Sequence, residues 1–119
     1  MKIVGQYREL FNCLTQQNIP CGNIYQAEGL AVHVKKHHPD EVYLLEHIPQ
    51  IIASPDYVGH NPKEKNSIEL VKLTDKNEMV CVKMDIKEGY LYVASVFSIS
   101  QGKLTNRIKS GRLRAIDKY

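Results

Sequence analysis

Apolar residues recur at helical spacing in the first part of the chain. Within residues 3–17, a short apolar piece precedes four residues that would share one helix face: Tyr7, Leu10, Phe11 and Leu14. This pattern predicts one helix that ends before Asn18-Ile19-Pro20. Pro20 and Gly22 then interrupt the chain, and residues 23–27 are predicted to form a short strand.

Two further helices are predicted on either side of Pro39. By periodicity alone residues 30–38 fit a helix or a strand, but their alanine and lysines favour a helix, and Pro39 would end it. Residues 39–41, a proline followed by two acidic residues, suit the first turn of a second helix. The apolar stripe of that helix is predicted to be Val42, Leu44, Leu45 and Ile48.

The pattern changes after this helix. Pro49 is predicted to begin another short turn that carries Ile51 and Ile52 inward, and residues 54–59 are predicted to end the segment as a turn. Runs rich in β-branched and aromatic residues then predict three strands, at residues 67–73, 79–86 and 90–99. Connectors of hairpin length separate them, so they are predicted to form an antiparallel meander.

The last segment and the order of the elements define a fold class. Residues 102–109 predict a short helix or turn, and Arg112-Leu113-Arg114 predicts a basic tail. Helices followed by a meander predict an α+β fold, with N-terminal helices packed on one face of the sheet and the other face available for a ligand. Alternation along the last strand puts Tyr90, Tyr92, Ser98 and Ser100 on one face, and Leu91, Val93, Ser95, Phe97 and Ile99 on the other.

Composition and charge then narrow the possible functions. The 119 residues predict a single domain with a helical part at about 1–60, a meander at about 66–100 and a basic C-terminal arm at 101–119. The arm has a local charge balance of +5 within a net charge of +3. This charge indicates an acidic partner, with nucleic-acid phosphate as the first candidate, or else a solvated, lysine-rich end.

Other totals exclude some classes of protein. No apolar run approaches the roughly 18 residues of a membrane span, and no signal peptide is visible. A cytoplasmic protein, or a fragment of a longer chain, is therefore expected, without a membrane partner. The three cysteines have no C-x-x-C spacing and are expected to be reduced thiols.

Histidines cluster at the predicted end of a helix. His33 and His37 are four residues apart and would share a helix face, which suits a metal pair, but no third ligand has matching spacing. Surface histidines are the other interpretation, and no metal is expected. His37 and His38 are candidates for proton transfer, because histidine titrates near neutral pH, or else are structural or exposed residues. Lys35 and Lys36 would bind phosphate or solvate the helix.

Motifs for other chemistry are weak or absent. Ser95, Ser98 and Ser100 lie on a strand otherwise suited to a core, and a buried hydroxyl needs a hydrogen-bond partner. The chain has no G-x-S-x-G elbow, P-loop or G-x-G-x-x-G motif. These absences argue against a hydrolase triad and a nucleotide cofactor, and no cofactor is expected.

Several short motifs in a fixed order resemble those of a nuclease family. The motifs are Ile24-Tyr25-Gln26, residues 33–39, residues 51–59, and residues 91–97 followed by Lys103. They resemble the phage-associated branch of the barnase, EndoU, colicin and RelE-like nucleases, the PBECR domains, over most of the chain after residue 23. The resemblance implies N-terminal helices followed by a four-stranded antiparallel sheet. It also implies metal-independent RNA cleavage, in which the ribose 2′-hydroxyl attacks the adjacent phosphate and leaves a cyclic phosphate.

The same resemblance implies roles for individual residues. The family's helix histidine falls on His38, with His37 as the alternative, the small hydroxyl residue of the late strand on Ser95, and the basic residue beyond it on Lys103. Ser95 would orient the phosphate. Lys103, with Lys36 and Arg107, would neutralise it. Further substrate contacts are expected from Lys35, Ser98 and Arg112. Phe97 stands where many relatives have a tyrosine, which would remove one proton-transfer or phosphate contact.

The sequence therefore predicts an endoribonuclease of the toxin or phage-effector type. Its substrate would be tRNA or another RNA, and an acidic immunity or antitoxin protein would be its partner. The alternatives are a non-catalytic RNA- or protein-binding module of the same fold, and a structural phage component. Loss of RNA cleavage in His38→Ala would separate the enzyme from the binding module.

Overall fold

Helices and strands alternate from the beginning of the chain. A computed structural model describes residues 1–116, and Asp117–Tyr119, at the end of the predicted basic arm, lie outside the described residues. Over residues 1–116 the strands are β1 (Lys2–Tyr7), β2 (Gly22–Gln26), β3 (Tyr57–Gly59), β4 (Ser67–Lys72), β5 (Glu78–Met84), β6 (Leu91–Ser98) and β7 (Leu113–Ala115). The helices are α1 (Glu9–Thr15), α2 (Glu28–His37), α3 (Leu44–Ala53) and α4 (Gln101–Lys109), and a 3₁₀ turn spans Pro39–Glu41.

The seven strands of the described residues form one mixed sheet in the order β1-β2-β6-β5-β4-β3-β7. Neighbouring strands are antiparallel except β2 and β6, which are parallel. The predicted α+β class and the meander of β4, β5 and β6 are confirmed. The expected four-stranded antiparallel sheet is wrong, because β1 and β2 extend the meander on one side and β3 and β7 extend it on the other.

The larger apolar cluster joins the sheet to the first three helices. Val80 and Val82 of β5 contribute to it from the sheet. Phe11 of α1, Val34 of α2 and Ile48 of α3 contribute from the helices, and all three are buried. Full burial of a side chain of this size stabilises the fold by about 1.5–3 kcal/mol, so the apolar stripes seen in the sequence hold these helices on the sheet.

A smaller apolar cluster lies under α4. Val71 of β4 and Met79 of β5 pack with Leu104 of α4 and Leu113 of β7. These two strand residues alternate with the strand residues of the larger cluster, so α4 packs on the opposite face of the sheet. α4 thus borders the sheet face on which Glu69 also lies.

A β-bulge in β6 decides which of its residues share a face. The pairing of β5 with β6 shifts register once, and Ala94 is the extra residue. Simple alternation along the strand put Ser95 and Phe97 on the face of Val93. That prediction is wrong, because the bulge moves Ser95 and Phe97 to the face of Tyr92, opposite the larger cluster.

Several segments differ from the predictions. Tyr7, predicted to lie on the first helix, is the last residue of β1, because it pairs with Gly22 of β2. Pro49 begins no turn but lies inside α3, where the burial of Ile51 and Ile52 offsets the backbone hydrogen bond that a proline removes. Residues 57–59, predicted as a turn, form β3, and the predicted basic tail contributes to β7, where Leu113 is buried. Strands of three residues are too short for a detectable alternation.

Among residues 1–116, no helix has the length and hydropathy needed to cross a bilayer.

Candidate active site

Three adjoining clefts lie along β6 and α4. The arginine cleft, of about 380 Å³, is lined by residues that include Glu69, Lys83, Ser95, Phe97, Arg107 and Arg112. The lysine cleft, of about 540 Å³, includes Lys76, Asn77, Phe97, Ser98, Lys103 and Arg107. The histidine cleft, of about 350 Å³, includes His37, His38, Glu41, Lys76 and Ser98. Phe97 and Arg107 border the first two clefts, and Lys76 and Ser98 border the last two, so the three clefts form a continuous series.

A buried carboxylate organises the arginine cleft. Glu69 of β4 is 5% exposed and accepts hydrogen bonds from Arg112 Nε at 2.8 Å and from Arg112 Nη2 at 2.7 Å. Arg107 Nη1 adds a third hydrogen bond at 3.3 Å. Hydrogen bonding to Glu69 raises the pKa of Arg112. Because two guanidinium groups share one carboxylate, the cluster keeps one excess positive charge that suits a phosphate.

Strand pairing accounts for this geometry. Gly59 of β3 is paired with Glu69 of β4 on one side and with Leu113 of β7 on the other. Arg112, one residue before β7, is therefore carried to the carboxylate. A Cβ atom on residue 59 would overlap the carbonyl oxygen of Arg112, so glycine permits the close approach of these strands.

A hydroxyl and a lysine line the same cleft. Ser95 is opposite Cys81 in the ladder between β5 and β6. Burial raises the pKa of the Cys81 thiol, and the hydrogen bond with Ser95 partly opposes this rise. Lys83 Nζ lies 3.0 Å from a carboxylate oxygen of Glu64, and this contact raises the pKa of Lys83. The cleft thus combines three cationic groups with a hydroxyl.

The lysine cleft is built around the first turn of α4. Ser100 caps this helix, and its Oγ accepts a hydrogen bond from the backbone N–H of Lys103 at 3.3 Å. Asn77 Nδ2 donates to Gln101 Oε1 at 3.1 Å, which holds the turn between β4 and β5 against the helix. The Lys103 side chain is exposed and forms no ion pair within residues 1–116. Its charge is therefore available to a ligand.

The histidine cleft lies where α2 ends. His37 is the last residue of α2 and His38 follows it, and both are exposed. The ring of His33 lies 4.7 Å from that of His37 and 5.9 Å from that of His38, measured between centroids. Glu41 accepts a hydrogen bond from the backbone N–H of Ser98 at 2.6 Å, which fixes the 3₁₀ turn against β6. Across residues 1–116, no group of three or more His, Cys, Asp or Glu residues is arranged to hold a metal ion.

The predicted site residues are distributed over this series of clefts. Within the described residues, none of the three clefts contains His38, Ser95 and Lys103 together. His38 shares a cleft with Ser98, Lys103 shares one with Ser98 and Arg107, and Ser95 shares one with Arg107 and Arg112. Lys35 and Lys36 are exposed on α2 and line none of the three clefts.

Glu69, Lys76 and Lys83 are among the cleft residues that the sequence motifs did not predict. Glu69 interrupts the apolar run of β4, and a charged residue in a buried strand is a detectable signal, because it needs a charged partner. Lys76 and Lys83 carry no such signal, because lysine is common in turns and on strand faces.

Comparison with known proteins identifies the class and then the family. No curated protein and no solved structure matches the chain. A family of nucleases does match, over residues 2–106. The chain belongs to the family described as phage-Barnase-EndoU-ColicinE5/D-RelE like nuclease3, which confirms the resemblance inferred from the sequence motifs. Arg107, Arg112 and β7 lie beyond the matched residues.

Proposed function

We propose that this protein is a metal-independent endoribonuclease of the toxin or phage-effector type that acts in the cytoplasm. The observation that carries the proposal is the series of adjoining clefts, which in a chain of a nuclease family combines histidines with cationic groups. The sheet face and α4 supply the cations, while the end of α2 supplies the histidines. An RNA strand that passes from the arginine cleft, over the first turn of α4, to the end of α2 would contact all three clefts.

The proposed reaction uses a nucleophile of the RNA itself. The 2′-hydroxyl oxygen forms a bond to the adjacent phosphorus, and the bond from phosphorus to the 5′-oxygen breaks. The proton of the 2′-hydroxyl passes to a base, and a second proton passes to the departing 5′-oxygen, which leaves a 2′,3′-cyclic phosphate and a 5′-hydroxyl. His38 is the proposed base, with His37 as the alternative or as the acid.

Positive charge stabilises the phosphate as negative charge develops on its oxygens. Lys103 and Arg107 suit this task at the scissile phosphate, because they line the cleft that adjoins the histidine cleft. Arg112, whose guanidinium group Glu69 already holds in place, would bind the next phosphate along the strand, in the arginine cleft. Ser95 lines the arginine cleft as well and would donate a hydrogen bond to that second phosphate.

Cleavage of a synthetic RNA in buffer with EDTA tests this proposal. The purified protein is expected to cut the RNA and to leave cyclic phosphate ends, and a single 2′-deoxy substitution is expected to protect its own linkage. His38→Ala is expected to lower the rate roughly 10²- to 10⁴-fold, the usual contribution of one acid or base. Val32→Ala, at a 65% exposed position of α2, is the matched control and is expected to cut at the wild-type rate.

The cationic residues are tested in the same assay. Lys103→Ala is expected to weaken cleavage, whereas Lys109→Ala, which is exposed at the other end of α4, is the control. Arg112→Lys keeps the charge but loses the bidentate geometry, and it is expected to reduce cleavage as well. The proposal is overturned if the protein leaves RNA intact, or if His37→Ala and His38→Ala both cut like the wild type.

The same clefts define the proposed partners. The substrate is RNA, with tRNA as a candidate, and an acidic immunity or antitoxin protein would inhibit the enzyme by covering the cationic clefts. Such a protein would compete with RNA, and its affinity would fall as ionic strength rises. Inhibition that persists unchanged in Lys103→Ala and Arg112→Lys would argue against this mode of binding.

A further inference from the structure

Three tyrosine rings cluster on β2 and at the start of β6, outside the three clefts. Tyr25 of β2 is paired with Tyr92 of β6 in the parallel ladder, and Tyr90 lies one residue before β6. The Tyr90 ring lies 6.3 Å from that of Tyr25 at an interplanar angle of 85°, and 5.9 Å from that of Tyr92 at 54°. All three side chains are partly exposed. Neither of these ring pairs is stacked face to face, so aromatic surface is left for another partner.

This cluster continues the arginine cleft. Tyr92 is paired with Lys83, and Ser95 is paired with Cys81, so the bulge puts Tyr92 and Ser95 on one face of the sheet. The two pairs are separated by two residues of β5, which corresponds to about 7 Å along the strand. Lys83 also lines the arginine cleft and therefore joins the cleft to the tyrosines. The aromatic surface of the tyrosines therefore adjoins the arginine cleft through Lys83.

We propose that Tyr25, Tyr90 and Tyr92 form a stacking platform for unpaired bases of RNA whose backbone lies in the arginine cleft. The substrate is therefore single-stranded RNA or a single-stranded loop. This inference rests on the proposed ribonuclease function, since it names the form of RNA that the enzyme recognises. Every base has an aromatic face that stacks on tyrosine, while lysine and arginine side chains bind the phosphates.

A base-paired duplex does not fit this arrangement. Its bases are already stacked on one another, so their faces are closed to the tyrosines. Tyrosine is also frequent in protein interfaces. The cleft on the same sheet face has Lys83, Arg107 and Arg112 against Glu64 and Glu69, and the excess positive charge favours a polyanion over a neutral protein surface.

A binding experiment with probes that cannot be cleaved tests the platform separately from catalysis. The probes are a 2′-O-methyl oligonucleotide, the same backbone with abasic sites, and a 2′-O-methyl duplex. The wild type is expected to bind the single strand with bases more tightly than either of the other probes. Tyr92→Leu is expected to weaken this binding roughly 5- to 150-fold, the usual effect of losing one stacked base.

Two variants serve as controls. Tyr92→Phe retains the ring and is expected to bind like the wild type. Ile86→Ser alters a 77% exposed side chain of the turn between β5 and β6 and is also expected to bind like the wild type.

In cleavage of RNA, Tyr92→Leu is expected to raise KM more than it lowers kcat, because the platform binds substrate before the reaction.

The outcomes separate the two proposals. If RNA is cut but the abasic probe binds as tightly as the probe with bases, or Tyr92→Leu binds like the wild type, the platform is overturned and the ribonuclease remains. If RNA is not cut but single-strand binding depends on bases and on Tyr92, the platform is supported and the ribonuclease is overturned. Tyrosines that serve a protein interface would give the first of these results.

Discussion

Replacement of Glu69 by glutamine isolates the central interaction of the arginine cleft. The amide of Glu69→Gln has nearly the same shape as the carboxylate but carries no charge. Arg107 and Arg112 would then be two guanidinium groups close together without a counter-charge. The substitution should therefore destabilise the fold as well as disturb the proposed phosphate site.

The size of the effect follows from the exposure of the two arginines. Removing one partner of a buried ion pair costs about 3–5 kcal/mol. The side chains of Arg107 and Arg112 keep 23% and 25% of their surface in water, so the lower end, about 3 kcal/mol, applies. With 119 residues, the entropy of unfolding is roughly 250 cal/mol/K, and Tm is expected to fall by about 12 °C.

Thermal unfolding and urea denaturation measure this loss. Glu64→Gln is the matched control, because the side chains of its ion pair with Lys83 are 37% and 44% exposed and such a pair contributes less than about 1 kcal/mol. The reasoning is refuted if Glu69→Gln loses no more stability than this control. In a double-mutant cycle, combining Glu69→Gln with Arg112→Met should cost less than the sum of the single changes, since one uncompensated charge is also removed.

Two further predictions concern the fold. Gly59→Ala is expected to destabilise the protein in urea, because its methyl group would overlap the backbone before β7. Gly29→Ala, whose methyl group meets open space, is the control and is expected to be neutral or stabilising by up to about 1 kcal/mol. Equal urea midpoints for the two variants would contradict this prediction. Tyr7→Phe removes a buried 2.8 Å hydrogen bond to Asn12 and is expected to cost about 1 kcal/mol at pH 8. Burial raises the pKa of Tyr7, so the stabilisation is present below the unfolded pKa of about 10 and is lost as pH rises above it. The gap between wild type and Tyr7→Phe should therefore close in denaturation curves above pH 10, and parallel pH profiles would count against the argument.

Local pattern in the sequence was enough to predict much of the fold. Helical spacing of apolar residues predicted α1, and Pro39 marked the end of α2. The three runs of β-branched and aromatic residues predicted the meander, because each strand shows its own alternating pattern and the two strands of a hairpin are close in sequence. The motifs around His38 and Ser95 also indicated the nuclease family.

The additional strands and the bulge depended on contacts that no local pattern records. β3 and β7 are three residues each, and they exist because β3 pairs with β4 on one side and with β7 on the other. The bulge at Ala94 is set by the fit of β6 to β5, and it reversed the face assigned to Ser95. Alternation within one strand does not reveal its register with the neighbouring strand.

The candidate site likewise combines features that the sequence predicted with features that only tertiary contacts determine. The sequence by itself determined the nuclease family, the helices that carry the histidines and the supply of basic residues near the end of the chain. Only the tertiary structure decided that His38 and Ser95 line different clefts and that Glu69 joins Arg112, which is 43 residues away in the chain. The physical reason is that composition and periodicity act within one element, whereas ion pairs and clefts arise where elements distant in sequence meet.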